Sequence, residues 1–124
     1  MKIGLVSDIH GNLTALEACL EHMRDCDRII CLGDIVNPTL QSKDVWNLLN
    51  QNNIPIMRGN HEDYFRACFN SKLNPKIDGA WFQPTRVAAA KFGKEEIEKF
   101  ADLPFDMKLE IEGHKLYFCH ASAY

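Results

Sequence analysis

No apolar run in this 124-residue sequence approaches the roughly 18 residues of a membrane-spanning helix, so no such span is expected. No surplus of one charge is present either. Against 17 Asp and Glu stand 14 Lys and Arg, a formal charge of −3 that lacks the concentrated positive patches by which proteins hold nucleic acid or anionic membranes. The five cysteines include no Cys-x-x-Cys pair. Their odd number reads as reduced thiols of a cytoplasmic protein rather than a disulfide framework. Repeats, low-complexity tracts and Gly/Ser linkers are lacking, which leaves one domain over residues 1–124. The opening Met1-Lys2-Ile3-Gly4-Leu5-Val6 reaches Asp8 too soon for a secretory signal. With 46% hydrophobic residues the chain can build a core, burying roughly two-thirds of its unfolded surface.

What is present is an alternation of periods. Ile3-Gly4-Leu5-Val6 is a short apolar run expected as a buried strand. Residues 13–24 then carry Leu13, Leu16, Leu20 and Met23 on one helical stripe. Ile29 to Leu32 reads as a second strand, Ser42 to Leu49 as a helix with Asp44 in its first turn, and Ile54 to Met57 as a strand weakened by Pro55. Strands alternating with helices predict a parallel sheet covered by helices. Residues 61–71 and 84–101 read as helical, the latter broken near Gly93. Met107, Leu109 and Ile111 alternate with charged residues, Gly113-His114 suits a two-residue turn, and Lys115 to Cys119 returns as a strand. The expected class is α/β, a parallel sheet with flanking helices and a late antiparallel hairpin.

Each strand candidate runs into polar, ligand-type residues. Val6 gives way to Ser7-Asp8-Ile9-His10-Gly11-Asn12, Leu32 to Gly33-Asp34, Met57 to Arg58-Gly59-Asn60-His61-Glu62, and Cys119 to His120. In open α/β sheets the carboxyl ends of the strands line the ligand crevice, so these clusters are expected to converge. On an extended strand end, Asp8 and His10 would leave on the same face and share one cation. Asp34 has two oxygens with which to bridge two cations, Asn60 offers a carbonyl oxygen and His120 an imidazole nitrogen. Such mixed donors suit two divalent ions (Mn, Fe, Zn, Ni or Mg) about 4 Å apart better than a thiolate zinc site.

Asp8-x-His10, Gly33-Asp34, Gly59-Asn60-His61-Glu62 and the later His120, in that order, resemble the calcineurin-like metallophosphoesterase superfamily. The opening looks most like its prokaryotic phosphodiesterase-type branch. The resemblance implies part of a metallophosphoesterase β-sandwich and metal-dependent hydrolysis of a phosphomonoester or phosphodiester. Carried over residue by residue, it gives Asp8 and His10 to a first metal, Asp34 to both, and Asn60 and His120 to a second. His61 would face the substrate phosphate, donating a hydrogen bond to a phosphoryl oxygen or a proton to the leaving oxygen. A hydroxide between the ions would attack phosphorus in line. Two departures from the family pattern stand out. Asn37 occupies the place where protein phosphatases of the superfamily carry the aspartate that orients the histidine. The closing Gly-His-x-His segment, one histidine per metal, does not follow His120, so the chain resembles the amino-terminal portion of a longer, C-terminally truncated phosphoesterase domain.

Plainer readings accompany these. Taken singly, Asp8 and Asp34 also fit loop termini, Asn60 the N-cap of the helix after it, and His120 a satisfied histidine at a strand end. His22 reads as a solvated surface group and His114 as a turn residue. The cysteines read as small buried groups or scattered thiols. Trp46, Trp81 and the phenylalanines are expected in the core, since no basic patch interleaves them as a base-stacking platform would require. Residues 94–99 read as a solvated helix face. Three functions remain open at this point: a hydrolase acting on a phosphoester substrate, a catalytically weak or inactive scaffold or binding protein on the same fold, as in the retromer subunit, and a nuclease or nucleotide-directed member, which the near-neutral composition neither supports nor excludes. An uncovered sheet edge would favour pairing of two copies as a homo-oligomer.

Overall fold

A computed structural model describes residues 1–70, 72–74 and 79–122. Strand β1 (Ile3–Val6) and strand β2 (Arg28–Cys31) pair in parallel, Ile3 opposite Arg28 and Val6 opposite Cys31. The helix between them, α1 (Leu13–His22), begins where Asn12 Oδ1 accepts a hydrogen bond from Ala15 N at 3.0 Å, the N-cap contact its sequence offers. Leu16 is buried, and Leu13, Leu20 and Met23 pack on the core beside it, as the stripe predicts.

Two strand expectations change. In β1 the Gly4 and Val6 side is covered, while Leu5 is 47% exposed, so the strand is buried on one face rather than both. The segment from Ile54 to Met57 contributes a single parallel bridge, Cys31 to Ile56, not a strand. Cys31 N donates to Pro55 O (2.9 Å) and Met57 N to Cys31 O (2.8 Å). Pro55 has no N–H to extend the ladder, and Arg58 N turns away to Pro104 O at 2.8 Å.

The helices follow their apolar spacing. Val45, Trp46 and Leu49 bury one face of α2 (Ser42–Gln51), and Phe65, one turn on from the buried Glu62, buries a face of α3 (Asn60–Ala67). The expected helix from 61 to 71 therefore stops at Ala67, and Ser71 lies outside the described residues. A 3-10 turn (Ala80–Phe82) leads into α4 (Gln83–Phe92), then come α5 (Lys94–Glu98) and a second 3-10 turn (Lys99–Asp102), with the break at Gly93. Trp46, Phe100, Phe92 and Phe65 form a chain of edge-to-face rings, with centroids 5.1, 5.4 and 6.0 Å apart in turn. These contacts tie α2, α3 and α4 through the core at about 0.5–1.5 kcal/mol each beyond burial. Trp81 breaks the expectation of a core tryptophan: it is 88% exposed on the 3-10 turn.

Strands β3 (Asp106–Ile111) and β4 (His114–Cys119) close an antiparallel hairpin. Ile111 pairs with His114, so the turn is Glu112-Gly113, one residue earlier than the sequence suggests. The twist of a two-residue hairpin favours positive φ at both turn positions, and Glu112 (52°) and Gly113 (80°) supply it. His114 is thus the first residue of β4. Each hairpin strand has one edge unpaired among the described residues. No helix among them is long and apolar enough to cross a membrane.

Candidate metal centre

The loops after β1, after β2, after the Ile56 bridge and after β4 meet at one end of the parallel pair. Backbone hydrogen bonds stitch the first two together: Asp8 N to Gly33 O (3.0 Å), His10 N to Asp34 O (3.0 Å) and Gly11 N to Ile35 O (2.8 Å). The chain does not reach this point as an extended strand. Asp8, His10 and Asp34 adopt left-handed backbone, with φ of 55°, 50° and 54°. Such conformations cost about 1–3 kcal/mol each in a non-glycine residue and persist where the surroundings enforce them. Asp8 and His10 still converge, but through this turn: His10 Nε2 lies 3.7 Å from Asp8 Oδ1.

Asp34 is the hub. Its side chain is 5% exposed, and its Oδ2 lies 3.3 Å from His120 Nε2, 4.0 Å from His10 Nε2 and 4.0 Å from His61 Nε2. Its other oxygen, Oδ1, accepts from His61 N at 2.9 Å and so satisfies a free donor at the start of α3. Donor atoms of His10, Asp34 and His61 lie within 4.8 Å of one another, as do those of Asp8, Asp34 and His120. Asp34 belongs to both groups, as a bridging ligand must. These groups set His61 beside His10 and His120 beside Asp8, while His10 also lies 3.7 Å from Asp8. Asn60 is the exposed first residue of α3. The N-cap position belongs to Gly59, so the plainer reading of Asn60 as a cap does not hold.

The donor set fits divalent ions. His120 Nδ1 lies 2.9 Å from the Leu32 carbonyl. A carbonyl can only accept, so Nδ1 carries a proton, which leaves Nε2, beside Asp34, as the nitrogen that could offer a lone pair to a cation. Burial lowers the pKa of His61, with His10 adding to the effect, while the Asp34 carboxylate pulls it up. His10 Nδ1 is buried without a hydrogen-bond partner. Asp8 is half exposed and accepts from the Ser7 hydroxyl, leaving the centre open to solvent on that side.

Glu62 escaped the sequence reading as a functional side chain. It is fully buried, and its carboxylate accepts from Asp34 N (2.9 Å), Ile35 N (2.8 Å), Val36 N (3.3 Å) and Gly59 N (2.7 Å). Burial raises its pKa while the N–H groups pull it down. One signal was available: a Glu three residues into a helix whose cap is Gly59 is half of a capping box. Two glycines let the loops approach. A Cβ on Gly33 would fall 2.6 Å from Gly59 N, and one on Gly59 would fall 2.5 Å from Asp34 N.

Strand ends that bring carboxylates and imidazoles to a shared Asp34 define a class, an α/β protein with a candidate metal centre. The sequence profile of the calcineurin-like phosphoesterase superfamily domain matches residues 1–124, and the chain belongs to that family. The uncharacterized protein MJ0912 of Methanocaldococcus jannaschii is 33% identical, over 97% of this chain and 49% of that protein. Serine/threonine-protein phosphatase 2 of Escherichia coli K12 is 27% identical, over 96% of this chain and 57% of its own length. A metallophosphoesterase structure from Sphaerobacter thermophilus superposes with a TM-score of 0.63 at 30% identity, over 86% of this chain and 43% of that one. The chain thus spans about half the length of the curated relatives it matches.

Proposed function

We propose that the protein is a metal-dependent phosphoesterase hydrolysing a phosphomonoester or phosphodiester, with Asp8, His10, Asp34, Asn60 and His120 holding two divalent ions. The observation that carries this reading is Asp34, one buried carboxylate shared by two donor groups. When bound, the ions supply Lewis acidity toward phosphoryl oxygens and acidify water. The chain's own residues do the rest. Leu32 O fixes the His120 tautomer, and Asp34 Oδ1 holds the His61 backbone, so the imidazole stays over the centre. From there His61 donates a hydrogen bond to a phosphoryl oxygen or a proton to the leaving oxygen. The cysteines are all free thiols, which suits a cytoplasmic location.

The test pairs metal content with turnover. The purified chain should carry up to two ions and hydrolyse bis(4-nitrophenyl) phosphate when manganese is added. Asp34→Asn is expected to lose both ions and to lower turnover on the order of 10²–10³-fold. For His61→Gln the expected result is full metal content with turnover reduced. Loss of one ion in that variant would move His61 into the donor set, as its distance to Asp34 allows. Zero ions and no turnover in the unmodified chain would favour the scaffold reading.

A further inference from the structure

Beside the centre lies a cleft of about 640 Å³, a size typical of small-molecule sites. His61 forms part of its wall, so one end of the cleft is the candidate centre itself. From His61 the wall continues through aromatic rings: Tyr64 at 5.3 Å between centroids, then Phe82 at 5.6 Å from Tyr64. Trp81 stands next to Phe82 with 88% of its surface exposed, and Asn37 and Thr85 add polar groups. Among the described residues that line it there is no Asp, Glu, Lys or Arg. A larger cleft of about 670 Å³, between the 38–44 loop and α4, has no residue of the cluster on its wall.

These features limit the occupant. The described lining, being uncharged, offers no counter-charge to a second phosphate, a carboxylate or an ammonium group. Ring faces and edges offer stacking to a planar aromatic group, and a tryptophan this exposed has most of its face still to cover. His61, touching both cleft and centre, requires the occupant to end in a group the centre can take. We propose that the cleft binds the aromatic ring of an organic phosphate, a nucleobase or a simple aryl group, with the phosphoryl group at the His61 end. This rests on the phosphoesterase reading for the phosphate end only.

Two measurements on the full chain test it, with manganese present. Trp46 is 6% exposed, so acrylamide quenching of tryptophan fluorescence reports chiefly Trp81. Adenosine monophosphate should lower the quenching constant, and ribose 5-phosphate, which has the phosphate without the ring, should not. Protection by phenyl phosphate as well assigns the cleft to any aryl ring, and protection by the nucleotide alone assigns it to a nucleobase. Equal protection by ribose 5-phosphate, protection by none, or shielding that rises with protein concentration without ligand overturns the proposal. In the second measurement, thymidine 5′-(4-nitrophenyl phosphate) and ethyl 4-nitrophenyl phosphate are compared by kcat/KM. Trp81→Ala should lower kcat/KM for the nucleoside ester about tenfold, and for the ethyl ester as well where the cleft takes any aryl ring. Unchanged kcat/KM for both esters defeats the cleft and leaves the hydrolase. Ring-dependent protection without turnover of either diester defeats the hydrolase and leaves the cleft.

Discussion

Glu62 gathers four backbone N–H groups onto one carboxylate, three from the loop after β2 and one from the loop before α3. Carboxylate oxygens can only accept, which matches four donors; an amide would turn its own N–H₂ toward some of them. Glu62→Gln is therefore expected to destabilise the fold by about 2–3 kcal/mol, read from urea unfolding. It should also weaken manganese binding about tenfold or more, because the Asp34 backbone loses its support. The loss of affinity distinguishes positioning from mere packing. At this scale the sequence was legible for the convergence of Asp8, His10, Asp34, His61 and His120, each a residue type able to act as a ligand that follows a strand or bridge. Glu62 was not, because a glutamate in a first helical turn normally reads as a solvated charge favourable to the helix dipole. Only its burial shows otherwise.

At the scale of elements, the centre depends on two loops passing closer than side chains permit. Gly33→Ala must fit a Cβ 2.6 Å from Gly59 N at a φ of 104°, and Gly59→Ala must displace Asp34. Each is expected to cost at least ~2 kcal/mol by thermal unfolding and to abolish metal uptake. Gly113→Ala, at a turn with no atom within 4 Å of the added Cβ, should retain metal uptake. Helix positions were legible because their apolar stripes are long: α1, α2 and the α4–α5 pair fall where spacing puts them. Shorter strands were less so. The run at 54–57 reads as a strand weakened by Pro55, whose missing N–H stops pairing before Ile56, but nothing in the sequence shows Arg58 N turning to Pro104 O after it. The hairpin was recognised and its turn misplaced by one residue, since Glu112 gives no hint of positive φ. Trp81 was misread for a related reason: hydrophobicity predicts burial on average, and a residue kept on the surface beside a cleft defies the average.

For the whole molecule, the relevant fact is how far apart the donors stand along the chain, from Asp8 to His120. Ions that bind only the folded arrangement stabilise it by mass action, about 2.7 kcal/mol at a hundredfold excess over Kd. Manganese at that excess should raise Tm on the order of 10 °C, seen by scanning calorimetry. Asp34→Asn should remove the shift. A Tm indifferent to metal in the unmodified chain would contradict the centre.

The Glu62 carboxylate has one more implication, for exchanging parts between relatives. Because it holds the backbone of a loop 26 to 28 residues distant, the two segments form one heritable unit. A chimera that imports the 33–36 segment alone, or the 59–62 segment alone, from a divergent homologue should inherit a mismatched joint, whereas importing both together should restore it.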